Sequence, residues 1–253
     1  MNLNQLFAPK ATLVGVHQAN YLPWIGYFLK LALCNKWIFL NDVQINKKGP
    51  TRRSLKSSFD ETIEYLTIPL QAWSDHSLIN ELKIKQDSKW SAKHVACMNQ
   101  SYRKNPFFHE IKKWLDLLEK SGPTCTQLTE LNQQFIIELA KDFGLTAEML
   151  SSSDYNATGN KDERNSQLVK SVDGHCYLRG KGGNSYSDDQ AFHDKGIQIV
   201  NLDTVSSVQQ LSNEYDLPFL KANILETISL VGTEQIQKWL AQEQAIFVLT
   251  NKL

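Results

Sequence analysis

Apolar residues in this chain fall into short unbroken runs near the start and into helix-period stripes further on. Residues 11–16, ATLVGV, are almost wholly apolar. That pattern predicts a strand covered on both faces. Pro23 and the apolar run from Trp24 to Leu33 predict a helix opening near residues 22–24, because proline is tolerated in a first helical turn. Residues 36–40, KWIFL, are aromatic and β-branched and predict a second strand. Strand, helix and strand within about thirty residues is the length of a βαβ crossover. Such a unit implies parallel strands and right-handed winding.

Residues 64–70 predict another strand, closed by Pro69, and residues 82–85 a further short one. Residues 88–120 read as helical. Trp90, His94, Met98 and Tyr102 share one face at four-residue spacing. Asn105-Pro106 breaks this helix, and it resumes from Phe107 to Leu118. Residues 126–143 predict a third helix, stopped by Gly144. Alternation then returns, with strands at 148–151, 176–178 and 197–202 and helices at 162–172 and 188–195. The last part is helical at 219–231 and 234–247. The reading is an α/β protein, a Rossmann-like parallel sheet flanked by helices, in one domain over residues 1–253. Its sheet core spans about 11–85 and 145–205, a helical insertion about 86–144, and C-terminal helices about 206–253.

Composition narrows the class. Hydrophobic residues make up 42% and charged residues 21%, enough to build a core and too apolar for a disordered chain. Lys and Arg number 27, as do Asp and Glu, so the net charge is zero. That argues against a broad nucleic-acid surface but leaves room for a local basic pocket for phosphate on a small-molecule partner. Cys34, Cys97, Cys125 and Cys176 form no CxxC, which predicts idle thiols in a reducing compartment. The first residues lack a basic stretch followed by an apolar run. Residues 27–33 are interrupted by Lys30 and too short to span a bilayer. A cytoplasmic protein with no membrane span is expected. The six histidines form no HxH or HxxxH pair, so no metal site is predicted.

Four segments carry candidate chemistry. HQANYLPWIGYF lies between the first strand and first helix, where backbone N–H groups favour anions. It supplies His17, Gln18, Asn20, Tyr21, Trp24, Gly26 and Tyr27. The second is Asp42 and Gln44 at the end of the second strand, followed by a basic loop with Arg53. An acid there suits base or hydroxyl-acceptor chemistry, and an arginine suits a pyrophosphate. The third is GNKDER, with Asn160, Lys161 and Arg164 at a helix start. Cations are disfavoured there unless an anion joins them. The fourth, YLRGKGGNSY, is a glycine-rich basic loop after a strand, a phosphate-cradle layout. It offers Arg179, Gly180, Gly183 and Tyr186, and lacks the P-loop spacing.

The first segment is similar in layout to HxGH nucleotidyltransferases such as pantothenate synthetase, with Tyr27 where that arrangement has its second histidine. Taken in order, HQANYLPWIGYF, NDVQ, the Trp90/His94/Tyr102 helix, GNKDER and YLRGKGG resemble the WbqC-like family from about Val14 to Gly232. This chain departs from the family pattern at Ala19, Asn41 and Arg179. The resemblance implies a role in O-antigen or other surface-polysaccharide biosynthesis. The expected activity is a transferase or ligase that modifies an amino sugar on a sugar nucleotide by amino-acid or acyl attachment. His17, Asp42 and Lys161 are the catalytic candidates, and the other residues named are binding candidates. The cofactor stays open, with ATP or a nucleotide sugar as options. The alternative is a non-catalytic nucleotide or sugar-nucleotide binding accessory protein.

Overall fold

Five parallel strands form the central sheet: β1 (Leu13–His17), β2 (Lys36–Phe39), β5 (Glu148–Ser151), β6 (Cys176–Gly180) and β7 (Gln198–Leu202), in the spatial order β5-β2-β1-β6-β7. Ranked by chain position among the parallel strands, that order is 3-2-1-4-5, the doubly wound order of dinucleotide-binding folds. The computed structural model describes residues 11–57, 59, 63–86, 89–180 and 188–251.

The central strands β1, β2 and β6 are buried on both faces, as their apolar runs require, while the edge strands β5 and β7 are partly exposed. Val14, Val16, Ile38 and Tyr177 belong to one core layer, with Leu168 and Val169 of α5 (Lys161–Ser171) and Phe192 of α6 (Gln190–His193). Leu13, Trp37, Phe39 and Leu178 belong to the other. That layer includes α1 (Ile25–Leu33), α7 (Thr204–Glu214), α8 (Ile224–Val231) and α9 (Thr233–Asn251). Helices α2 (Trp90–Tyr102), α3 (Phe108–Ser121) and α4 (Leu128–Asp142) also pack there, between β2 and β5 in sequence. Gly144, at φ +70°, ends the α4 region in the left-handed conformation that suits glycine.

Two strand expectations are corrected. Residues 64–70 contribute only β4 (Tyr65–Thr67), which pairs antiparallel with β3 (Arg53–Leu55) in a separate two-stranded sheet. Residues 82–85 form isolated bridges, Leu70 with Ile84 and Lys83 with Gln127. Neither joins the parallel sheet. Both lie within the long excursion between β2 and β5, and the edge of β2 is already taken by β5. Among the described residues no helix is long and apolar enough to cross a membrane.

Candidate functional site

The loops after β1 and β6 diverge, because the chain builds outward from these neighbours in opposite directions. A cavity of about 520 Å³ opens at their carboxyl ends. Val16, His17 and Gln18 line it from β1, and Tyr177, Arg179 and Gly180 from β6. Trp24, Gly26, Tyr27 and Lys30 enter from the α1 side, Lys161 and Asn165 from α5, and Thr204 from the start of α7. No acidic residue lines it among the described residues.

His17 is held by the turn that follows it. Its Nδ1 lies 3.1 Å from the Gln18 carbonyl. A carbonyl oxygen only accepts, so Nδ1 carries the proton and Nε2 keeps its lone pair. Tyr27 donates its hydroxyl to the same carbonyl at 3.1 Å. The His17 ring meets Tyr27 edge-on, with centroids 4.9 Å apart, and lies parallel to Trp37 at 6.0 Å. Burial, then the Lys30 charge, push the His17 pKa down to about 4, opposed by the bond to Gln18. The imidazole is therefore neutral at pH 7. Burial raises the Tyr27 phenol, which stays protonated.

Lys30 is 7% exposed. Its Nζ donates to the Val16 carbonyl at 3.2 Å and lies 5.6 Å and 6.0 Å from the Trp37 and Tyr177 ring centroids. No carboxylate among the described residues pairs with it. Burial pushes its pKa down to about 8; Cys34 opposes the shift and Lys161 adds to it. Lys161 opens α5, whose N-cap is Asn160: the Asn160 side chain accepts from the backbone of Asp162 at 3.1 Å and Glu163 at 3.0 Å. Arg179 is buried, ion-paired to Asp189 at 2.7 Å, with its guanidinium 5.8 Å from the Phe192 ring centroid.

A second hollow of about 360 Å³ lies across His17 and Trp24, which line both. Asn20, Tyr21 and Arg53 line this hollow, not the crevice. The Tyr21 hydroxyl lies 2.9 Å from His94 Nδ1, and Trp90 meets the Tyr21 ring edge-on. Burial pushes His94 down to about 4, opposed by a backbone hydrogen bond at Thr67. This buried pair positions the loop and the α2 face beneath it.

The loop that forms the partition is held in unusual geometry. Leu22 has φ +40°, a left-handed value rare for a branched residue ahead of proline. Such a residue costs roughly 1–3 kcal/mol and persists when its surroundings over-determine it. Here Ser54 Oγ donates to the Leu22 carbonyl at 2.8 Å, and the Ile224 N–H donates to the Pro23 carbonyl at 2.9 Å. A Cβ on Gly26 would fall inside the Trp24 ring's contact distance, so the indole can fold over α1 only because residue 26 is glycine. Asn132 Nδ2 donates to the carbonyls of Ala19 at 2.8 Å and Thr51 at 2.7 Å, while Thr51 Oγ1 donates to Gln18 at 3.0 Å. These bonds join the first motif to the basic loop.

Other residues singled out in the sequence lie elsewhere. Asp42 accepts from the Ser152 hydroxyl and pairs with Arg164, so both are engaged away from the two cavities. Gln44 is exposed and bridges Leu78. Gly183 and Tyr186 fall outside the described residues. Sequence reasoning missed Lys30, Asn165 and Thr204 in the crevice. The signal for Lys30 was its place inside the apolar run of α1, where a charge is out of pattern. Asn165 Nδ2 is 3.4 Å from the Tyr177 hydroxyl, while its Oδ1 is buried without a hydrogen-bond partner.

Comparison with known proteins agrees with the motifs. The model of the WbqC-like protein family matches residues 18–237. Uncharacterized protein Rv1507c of Mycobacterium tuberculosis is 28% identical over 227 residues, covering 87% of this chain and 94% of that protein. No solved structure matches the chain.

Proposed function

The chain belongs to the WbqC-like protein family, and from that premise we propose that the β1/β6 crevice binds a sugar nucleotide. On this reading the protein is a transferase or ligase of surface-polysaccharide biosynthesis, attaching an amino acid or acyl group to an amino sugar. The observation that carries it is Lys30: a buried ammonium without a carboxylate partner among the described residues, beside Lys161, in a crevice lined by no described acid. A desolvated cation of this kind is costly until an anion joins it. Phosphate at the carboxyl edge of a doubly wound sheet, at the switch point, fits that need.

The chemistry follows from the same groups. In acyl transfer, an amine attacks an activated carboxyl carbon, the C–N bond forms, the bond to the activating group breaks, and the proton lost from the amine passes to the departing group or to water. Where that group is a phosphate, it departs with the electron pair, and Lys30, Lys161 and Arg179 would stabilise its charge. His17 Nε2 would accept a hydrogen bond from the attacking amine and orient it. In the ligase form of the reaction, ATP would supply the activating phosphate.

The test pairs binding with turnover. ADP and a UDP-linked amino sugar are titrated calorimetrically into the wild type and into His17→Ala, Lys30→Met and Lys161→Ala. Affinity unchanged in all three variants would sink the crevice site. Mixing the UDP-linked amino sugar with glycine and ATP, or with an acyl donor, then reads product by mass spectrometry. A second reading, a non-catalytic sugar-nucleotide binder, is favoured by the high phenol pKa values of Tyr27 and Tyr177 and the weakly basic His17. Tight binding without product under every donor would select it.

A further inference from the structure

We propose that the hollow across His17 and Trp24 is a second substrate site, built to hold a small acid: a compact molecule carrying a carboxylate or a phosphate.

Its lining has three cations and no described acid. Lys48, Arg53 and Lys221 all face it, and none forms an ion pair with a described residue. Arg53 is held in place by stacking, its guanidinium carbon 3.7 Å from the centroid of the Tyr65 ring. Its Nε is buried without a hydrogen-bond partner. A planar guanidinium oriented this way presents paired donors that match a carboxylate or phosphate edge.

Asn20 gives the independent indication. It lines the hollow, is 4% exposed, and its amide makes no hydrogen bond to any described residue. Buried polar groups are nearly always paired, and an unpaired one asks for a missing partner. Asn20 Oδ1 would accept from a hydrogen-phosphate O–H or a bridging water, and its Nδ2 would donate to the oxyanion itself. At about 360 Å³ the hollow lies at the small end of the range of roughly 300–1,000 Å³ typical of ligand sites. Tyr21, Trp24 and Pro50 give it apolar walls.

The position says what the acid is for. His17 and Trp24 line this hollow and the crevice alike, so one layer of side chains separates the two occupants. A small acid here would stand next to the ligand of the β1/β6 crevice, as the second reactant of a group transfer must. The pairing of the two sites rests on the crevice reading above; the hollow's affinity for an oxyanion does not.

Ligand-observed NMR of the full chain separates the two. Succinate, inorganic phosphate and ADP are titrated in turn into the wild type, Lys221→Met, the Arg53→Gln/Lys221→Met double variant and Lys30→Met, with folding checked by circular dichroism. The wild type should bind succinate or phosphate at millimolar concentration, and the preferred probe tells a carboxylic acid from a phosphorylated one. The double variant should lose that binding by at least about tenfold while ADP affinity stays within about twofold. Lys221→Met alone, which leaves the Arg53–Tyr65 stack intact, should show a smaller loss. Lys30→Met should do the converse, weakening ADP and sparing the small acid. No binding of either small probe to the wild type, or equal binding in the double variant, would overturn the proposal. Loss of small-acid and ADP binding together in the double variant would overturn it as well. Small-acid binding that behaves as expected while ADP binds nowhere would uphold the acid site and overturn the crevice reading alone.

Discussion

Lys30, inside α1, donates from Nζ to the carbonyl of Val16 at 3.2 Å and pairs with no described carboxylate. Its pKa falls from 10.5 to about 8 because burial disfavours the charged form. Between those values the unfolded chain still binds a proton that the folded chain has released, so stability rises with pH there. Below about 8 the full penalty applies, on the order of 3 kcal/mol. Lys30→Met should therefore stabilise the fold at pH 7, by about 1–3 kcal/mol in urea denaturation. It should also weaken ADP at least tenfold. In the wild type, ADP affinity should hold steady below about pH 8 and fall above it, as the ammonium that meets the anion is lost.

Acid should unfold this protein earlier than its carboxylates alone require. His17 and His94 both drop from 6.5 to about 4, chiefly by burial. Between those values the unfolded state binds protons that the folded state refuses, so stability is lost as pH falls from 6.5 toward 4. Each histidine contributes about 3 kcal/mol over that window. Denaturation midpoints measured across it should slope steeply, and His94→Gln should flatten the slope by about half. An unchanged slope in that variant would remove His94 from the account.

Gly26→Ala places a Cβ against the Trp24 indole. The ring must swing away, and with it the partition between crevice and hollow. Overpacking of this kind costs about 1–3 kcal/mol. Both ADP and succinate affinity should drop, because Trp24 lines both cavities. A variant that keeps both affinities would show that the indole is not a working wall.

Asp42 stood as a catalytic candidate on its strand-end position. Its two carboxylate oxygens are taken by Ser152 and Arg164, tying the end of β2 to α5. Asp42→Asn should lower stability by about 2 kcal/mol, since Arg164 is left without its charge partner. ADP affinity should stay within about twofold. A large loss of binding with little loss of stability would restore Asp42 to the site.

Much of the framework was legible from pattern. The sequence reading placed β5 at 148–151, and the structure has it at Glu148–Ser151. The helix opening after Pro23 became α1, and Gly144 stopped α4 as expected. Weakly patterned elements escaped. α7 buries only Val208, Leu211 and Ser212 in a mostly polar stretch. Its one local signal is Asp203, whose carboxylate caps the Ser206 N–H at 3.2 Å. β3 is three residues long and exists through its pairing with β4, a partner that no local window reveals.

The same division runs through the site. By itself the sequence determined the α/β class with a parallel sheet and brought His17, Lys161 and Arg179 forward as strand-end and helix-start candidates, because strand ends and helix starts are set by local periodicity and turn chemistry. Only the tertiary structure decided which polar groups meet. It joined Asp42 to Arg164, sent Asn20, Tyr21 and Arg53 to a second chamber, and buried Lys30 under β1. Those outcomes depend on distances between elements far apart in the chain, and hydrophobic period carries no information about them. Val14–Phe28 thus reads from sequence as one polar loop before a helix, and in the fold as the wall between two cavities.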